Sequence, residues 1–273
     1  MNDLDYTLLN ALKCMSRESN ESDKEYDELI EINKDSKDSD ILDYVLLFLC
    51  QHSERIKNFY KGGYVLMNLL PDKARYSYDI DFSISSDKQY EEIKKIFRQL
   101  GEDLKTKGVI ESYEIKDTIT PTSSGGIKLK RHDKDNLGID VGWHDVSYGM
   151  ENWRFHNYDL MRFSVERMLS DKLSAIYSPK RFRRTKDLYD VYILYQSFDI
   201  DYKKLNEYII RRNTIDWVKD PFREDVLVQY AYAYDKLRIT NANNKDIRKP
   251  EFNMCISALK TIVMNLNEVM NNE

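Results

Sequence analysis

The sequence predicts an α/β (α+β) fold, with a sheet and flanking helices in residues 1–154 and a helical bundle in residues 155–273. Three observations predict it. Residues 78–84, YDIDFSI, alternate apolar with polar, the period of two that marks a half-buried strand. Residues 113–120, 127–131 and 137–141 read as further strands, the first two joined by a Ser/Gly turn at 123–126. From about residue 155 onward the apolar residues recur at helical spacing instead.

The elements follow in order. Leu4, Leu8, Leu9 and Leu12 give residues 4–15 an amphipathic helical stripe. Residues 16–43 are nearly all polar and belong on the surface or in a solvated helix. Ser39 or Asp40 caps a helix over 41–58 that buries Leu42, Val45, Leu46 and Leu49. Phe59 and Tyr60 form a short apolar approach to Gly62-Gly63, and residues 64–70 read as a short helix that Pro71 closes. Ile93, Ile96, Phe97 and Leu100 mark a helix over 90–107. The rear half reads as helices over 165–177, 187–197, 202–211, 222–236 and 250–270.

The formal net charge of −5 argues against a protein that coats duplex nucleic acid, because counterion release favours a basic surface. Any nucleic-acid contact must then be a local patch. No apolar run reaches the roughly 18 residues of a membrane span, and the acidic start lacks the order of a secretory signal. Cys14, Cys50 and Cys255 are too scattered for a disulfide framework or a CxxC pair, so a reducing cytoplasm is expected. His52, His132, His144 and His156 show no metal-ligand spacing, and no Walker A, G-x-G-x-x-G or G-x-S-x-G run occurs.

On a strand, Asp79 and Asp81 project to one face while Ile80 and Phe82 enter the core. Two carboxylates about 5 Å apart repel by roughly 3 kcal/mol at an effective dielectric near 20. A divalent cation turns that cost into attraction, and Mg²⁺ favours one or two carboxylates plus substrate phosphates. Taken alone, Asp-x-Asp is more often ordinary strand alternation. Its company is the stronger signal: Gly62-Gly63 upstream, where backbone amides can approach a phosphate, and Asp140 between Ile139 and Val141 on a later strand.

These residues carry a resemblance. Lys61-Gly62-Gly63 followed by Arg75-Tyr76-Ser77-Tyr78-Asp79-Ile80-Asp81 resembles the K-G-G…R-x-S-x-D-[IL]-D signature of AbiEii-type nucleotidyltransferases. Those are toxin halves of AbiE toxin–antitoxin systems, related to the MenT toxins within the DNA polymerase β-like superfamily. Asp171-Lys172-Leu173-Ser174-Ala175 is similar to the family's D-K-L-x-A helix, and the run from Arg184 to Asp190 to its R-x-K-D-x-x-D element. The matching segments span about residues 59–197.

The resemblance implies a nucleotidyltransferase-type mixed sheet and the following roles. Lys61, Gly62 and Gly63, with Ser77 nearby, would bind the triphosphate of a nucleoside triphosphate. Asp79, Asp81 and Asp140 would ligate Mg²⁺ or Mn²⁺, Asp140 also activating the attacking group. Lys172 would reach the phosphates, and Asp187 would lie near the nucleotide. It further implies an RNA acceptor, in first place the 3′ end of tRNA, and a toxin of phage defence by abortive infection with an AbiEi-like antitoxin. The chain departs from the pattern at Gly138, where relatives often carry lysine, and at Tyr64, where they often carry a small hydroxyl residue.

Residues 178–186, SPKRFRRTK, place Lys180, Arg181, Arg183, Arg184 and Lys186 around Phe182. Such a run is usually a solvated face; in an acidic chain it is also the candidate contact for RNA or phosphate. Lys172 at the edge of an apolar stripe is by itself an ordinary snorkelling lysine. Two other functions fit the front half: a small-molecule transferase of the aminoglycoside-modifying kind, and a nucleotide-binding interaction module without turnover.

Overall fold

A computed structural model describes residues 30–52, 58–120, 122–178, 182, 184–213, 215, 217, 220–241 and 246–272. The helix expected over 4–15 and the first part of the polar stretch lie outside these residues. The strands are β1 (Phe59–Lys61), β2 (Asp79–Ile84), β3 (Ser112–Lys116), β4 (Gly125–Lys130), β5 (Leu137–Trp143), β6 (Met150–Phe155) and β7 (Tyr158–Phe163). The helices are α1 (Asp38–His52), α2 (Gly62–Leu69), α3 (Asp87–Thr106), α4 (Val165–Ile176), α5 (Thr185–Ser197), α6 (Tyr202–Arg212), α7 (Glu224–Asp235) and α8 (Phe252–Asn272). No described helix is long and apolar enough to cross a membrane.

The strands form one mixed sheet in the order β3-β4-β5-β2-β1-β7-β6. β2 pairs parallel with β5 and antiparallel with β1, and β1 pairs parallel with β7. One face is apolar: Ile80, Phe82, Ile127, Leu129, Leu137, Ile139 and Val141 are buried there. Amphipathic α3 covers its β3–β4 end through Tyr90, whose hydroxyl donates to Lys116 O (2.5 Å) and accepts from Gly126 N (2.8 Å). Ser86 caps α3 by accepting from Gln89 N at 3.4 Å. α1 buries the expected Leu42, Val45, Leu46 and Leu49, and Ile41, Tyr44, Leu47, Phe48 and Cys50 as well.

The expectation that the chain turns helical from about residue 155 needs correction. β6 and β7 form a hairpin that carries the sheet on to Phe163. Their alternation is present, with Trp153 and Phe155 buried, but charged neighbours hide it in a short run. The helices begin after Ser164, which caps α4 by accepting from Arg167 N at 3.3 Å.

The helices are tied to the sheet through charge. α5 buries Leu188, Tyr189, Val191 and Leu194, but Asp187 and Asp190 are equally buried, at 0% exposure. Arg75, in the loop before β2, donates to both oxygens of Asp190 at 3.0 Å. Lys172 of α4 lies 2.7 Å from Asp190 Oδ2 and donates to Asp187 Oδ1 at 2.8 Å. Arg184 Nε approaches Asp187 Oδ2 at 2.7 Å without hydrogen-bond alignment. Burial pushes the Asp190 carboxyl up, but Arg75 and Lys172 overcome it and hold it at about 2.

Breaking a buried pair on one side leaves uncompensated charge. Asp190→Asn is therefore expected to cost about 3–5 kcal/mol in urea unfolding, well above the ~1 kcal/mol ceiling of a surface pair. The folded value lies below the unfolded value of about 3.9, so the stabilisation is complete above that pH. It is lost as pH falls through about 2, and the gap between wild type and variant should close over that window.

Candidate active site

The polar face of the sheet is set by strand register. Asp81 is opposite Asp140 on one side and Lys61 on the other, while Asp140 is opposite Gly126 and Gly126 opposite Lys116. One cross-strand row thus reads Lys116, Gly126, Asp140, Asp81, Lys61. The next row reads Glu114, Lys128, Gly138, Asp79. With neighbouring strands about 4.8 Å apart, the three expected carboxylates share one face and adjoin. Burial, and then Asp140, raise the Asp79 carboxyl above the usual range; burial raises that of Asp81, which Lys61 and Lys172 oppose.

Among the described residues no three acidic, histidine or cysteine side chains already close around one ion. Asp140 leans to Lys116 Nζ at 3.4 Å, as a carboxylate does beside two like charges. The donor set is nonetheless one that suits a hard divalent cation: carboxylate oxygens on two adjacent strands, with substrate phosphates left to complete the shell.

Gly62 opens α2 with φ of 79°, and a Cβ there would sit 2.2 Å from Asp81 Oδ2. A Cβ on Gly63 would sit 2.6 Å from Ser77 Oγ. Both close approaches require glycine. Lys61, the N-cap residue, makes no side-chain capping bond, so the first amides of α2 remain for another acceptor beside Asp81 and Ser77. The helix expected over 64–70 therefore starts two residues earlier, on the glycines themselves.

Lys61 is held at the other end of the row. Its ammonium lies 3.5 Å from His144 Nδ1, which is 3.1 Å from Ser83 Oγ. Burial, and then Lys61, push His144 down to about 3, so the imidazole is neutral at pH 7. Burial lowers Lys61 to about 8 against the pull of Asp81.

The rear half delivers its residues unevenly. Lys172 stands close enough to Asp81 to favour its ionised form, yet its ammonium is already engaged by Asp187 and Asp190. Asp187 is a buried partner of Lys172 and Arg184. Of the basic run, Lys180, Arg181 and Arg183 lie outside the described residues. Arg184 pairs with Asp187, and Lys186 is half-buried near Asp79 and Arg75 rather than on an outer surface.

Gly138 faces Asp79, and a Cβ there would come 2.9 Å from Asp79 Oδ1. Where relatives often carry lysine, this chain has the Asp79 carboxylate close by and Lys128 on the adjacent strand. Lys116, Lys128, His144 and the anchoring role of Arg75 and Asp190 were missed in the sequence. Arg75 stood in a motif and gave a signal; cross-strand neighbours gave none.

Residues 48–260, more than half of the chain, match the family described as "Nucleotidyl transferase AbiEii toxin, Type IV TA system". JHP933 from Helicobacter pylori is similar in structure, with a TM-score of 0.50 and 14% identity over 87% of this chain and 97% of that one. The nucleotidyltransferase toxin MenT4 from Mycobacterium tuberculosis gives 0.43 and 16% over 70% and 71%. The antibiotic-resistance factor ANT(2'')-Ia gives 0.41 and 11% over 64% and 90%. No curated protein is similar enough to the chain to count as a match. The glycine-to-carboxylate arrangement and the family match agree, and the chain belongs to the AbiEii family of nucleotidyltransferase toxins.

Proposed function

We propose that this nucleotidyltransferase transfers a nucleotide from a nucleoside triphosphate to an RNA, in first place the 3′ end of tRNA. The observation that supports the reading best is the row Asp140, Asp81, Lys61, with Asp79 on the same face and the Gly62-Gly63 helix start beside it.

The first amides of α2 and the Ser77 hydroxyl receive the triphosphate, and Lys61 balances its charge. Lys172, fixed by Asp187 and Asp190, serves as a charge at constant position rather than a mobile arm. Asp79, Asp81 and Asp140 would hold Mg²⁺ or Mn²⁺, which when bound neutralises phosphate charge and lowers the pKa of the acceptor hydroxyl. Asp140, with its side chain 49% exposed, takes the proton from that hydroxyl. The hydroxyl oxygen bonds to the α-phosphorus, the bond to the bridging oxygen breaks, and pyrophosphate leaves toward the α2 amides. The work is positioning and charge neutralisation, as is general for phosphoryl chemistry. In the cell the product is growth arrest in phage defence by abortive infection, with an AbiEi-like antitoxin countering it in the cytoplasm.

Incubation with each α-³²P nucleoside triphosphate, Mg²⁺ and total bacterial tRNA should label tRNA with one nucleotide. Asp79→Asn should abolish the label while the circular dichroism spectrum is unchanged; a folded, fully active Asp79→Asn protein would overturn the reading. Gly62→Ala displaces Asp81 and strains a φ of 79°. Its expected effect is a loss of about 100-fold in kcat, the size that a 1 Å misplacement costs. Near wild-type rates would mean that the amides do not hold the leaving group.

A further inference from the structure

The two flanks of the carboxylate row differ. On the β1 side stand the glycine helix start, Ser77, Lys61 and Lys172, all donors. On the β4 side a groove of about 560 Å³ opens, lined by Asp79, Asp140, Glu114, Lys116, Lys128 and Asn136 among others. Its volume is that of a small-ligand site.

The groove's floor next to the carboxylates is bare backbone. Gly138 faces Asp79, and Gly126, with φ of 142°, lies opposite Asp140; a Cβ on Gly126 would strike Ile139 O at 2.0 Å. Of these two, Gly138 lines the groove, and a chain entering beside Asp79 meets no side chain there. The walls carry positive charge. Lys128 is exposed, and Lys116, 56% exposed, reaches Asp140 Oδ1 at 3.4 Å and Ser124 Oγ at 3.3 Å. They are diagonal neighbours on adjacent strands, about 7–8 Å apart. Glu114, the opposing charge, is engaged from outside by Lys130, which draws its carboxyl down.

We propose that this groove is the acceptor site and takes a single-stranded RNA end, with Lys116 and Lys128 contacting its phosphates. The inference rests on the transfer reading above and specifies the acceptor's chemistry and its side of approach. Were Asp79 and Asp140 to hold a divalent cation, the groove's other charged side chains would be Lys116, Lys128 and Glu114, the last bonded to Lys130. A polycation such as an aminoglycoside meets like charges there, which suppresses the wrong partner. A phosphate backbone gains two point-charge contacts that position the strand without reading its sequence.

The test is fluorescence anisotropy of a short fluorescein-labelled single-stranded RNA over a salt series, with titration calorimetry of the nucleoside triphosphate alongside. For K116Q/K128Q the RNA affinity should fall and the slope of log K against log salt should shrink by about 1.4, roughly 0.7 per phosphate contact. Triphosphate affinity should be unchanged in K128Q, whose side chain is bonded to none of the three carboxylates. K128Q alone should move the slope by about half as much. Wild-type protein that does not bind the RNA, or a double variant with the wild-type slope, overturns the proposal. So does a fall in the triphosphate affinity of K128Q, which would make the groove the nucleotide side. Binding needs no turnover, so failure of the transfer reading is seen separately: lysine-dependent RNA binding with no label in any acceptor.

Discussion

Parallel pairing of β2 with β5, Asp81 opposite Asp140, is the constraint on which the rest depends. Side chains alternate along a strand, so a slip of one residue would bury Asp79, Asp81 and Asp140 and expose Ile80, Phe82 and Ile139. The apolar face under α3 therefore fixes the register that the polar face uses. Stability and chemistry are set by the same hydrogen-bond ladder, one face each.

Three carboxylates in adjoining positions are costly, and the surroundings offset the cost with cations on every flank. Lys61 lies beyond Asp81, Lys116 beyond Asp140, and Lys186, Arg75 and Lys172 lie behind. Arg75 and Lys172 are themselves fixed by the buried Asp190, so charge from the helices reaches the sheet through a network with little freedom to move. That is the difference between an ammonium on a flexible stem and one held where phosphate charge collects.

Much of this was legible because period-two alternation is a local signal. β2, β5, α4 and α5 were readable from their own residues, and so were the carboxylates that β2 and β5 present. β1 was not, because three residues hold too little alternation; β6 and β7 were not, because Arg154, Asp159 and Arg162 break their apolar pattern. Asp190 stood in the sequence only as the last residue of the R-x-K-D-x-x-D element. Its true partner, Arg75, is 115 residues away, and no local pattern reports such a pairing. Lys116 and Lys128 carried no signal in the sequence, and only the β3–β4–β5 register brings them near the carboxylates.

Topology explains why the two flanks of the row could take different tasks. β1 and β7 are parallel neighbours with Tyr60 opposite Arg162, so α2 and α4 leave the sheet at the same end. The α2 start brings its glycines against Asp81 on the β1 side, and Lys172, two turns into α4, is close enough to favour the ionised carboxylate. On the other side, β4 pairs antiparallel with β5 and β3 antiparallel with β4, so among the described residues no helix starts beside Asp140. That flank remains open to solvent, with strand side chains as its walls. Substitutions at Lys116, Lys128 or Glu114 can thus alter what enters without moving the helix starts that receive the triphosphate. Such a division lets one fold keep its transfer chemistry while its acceptor changes.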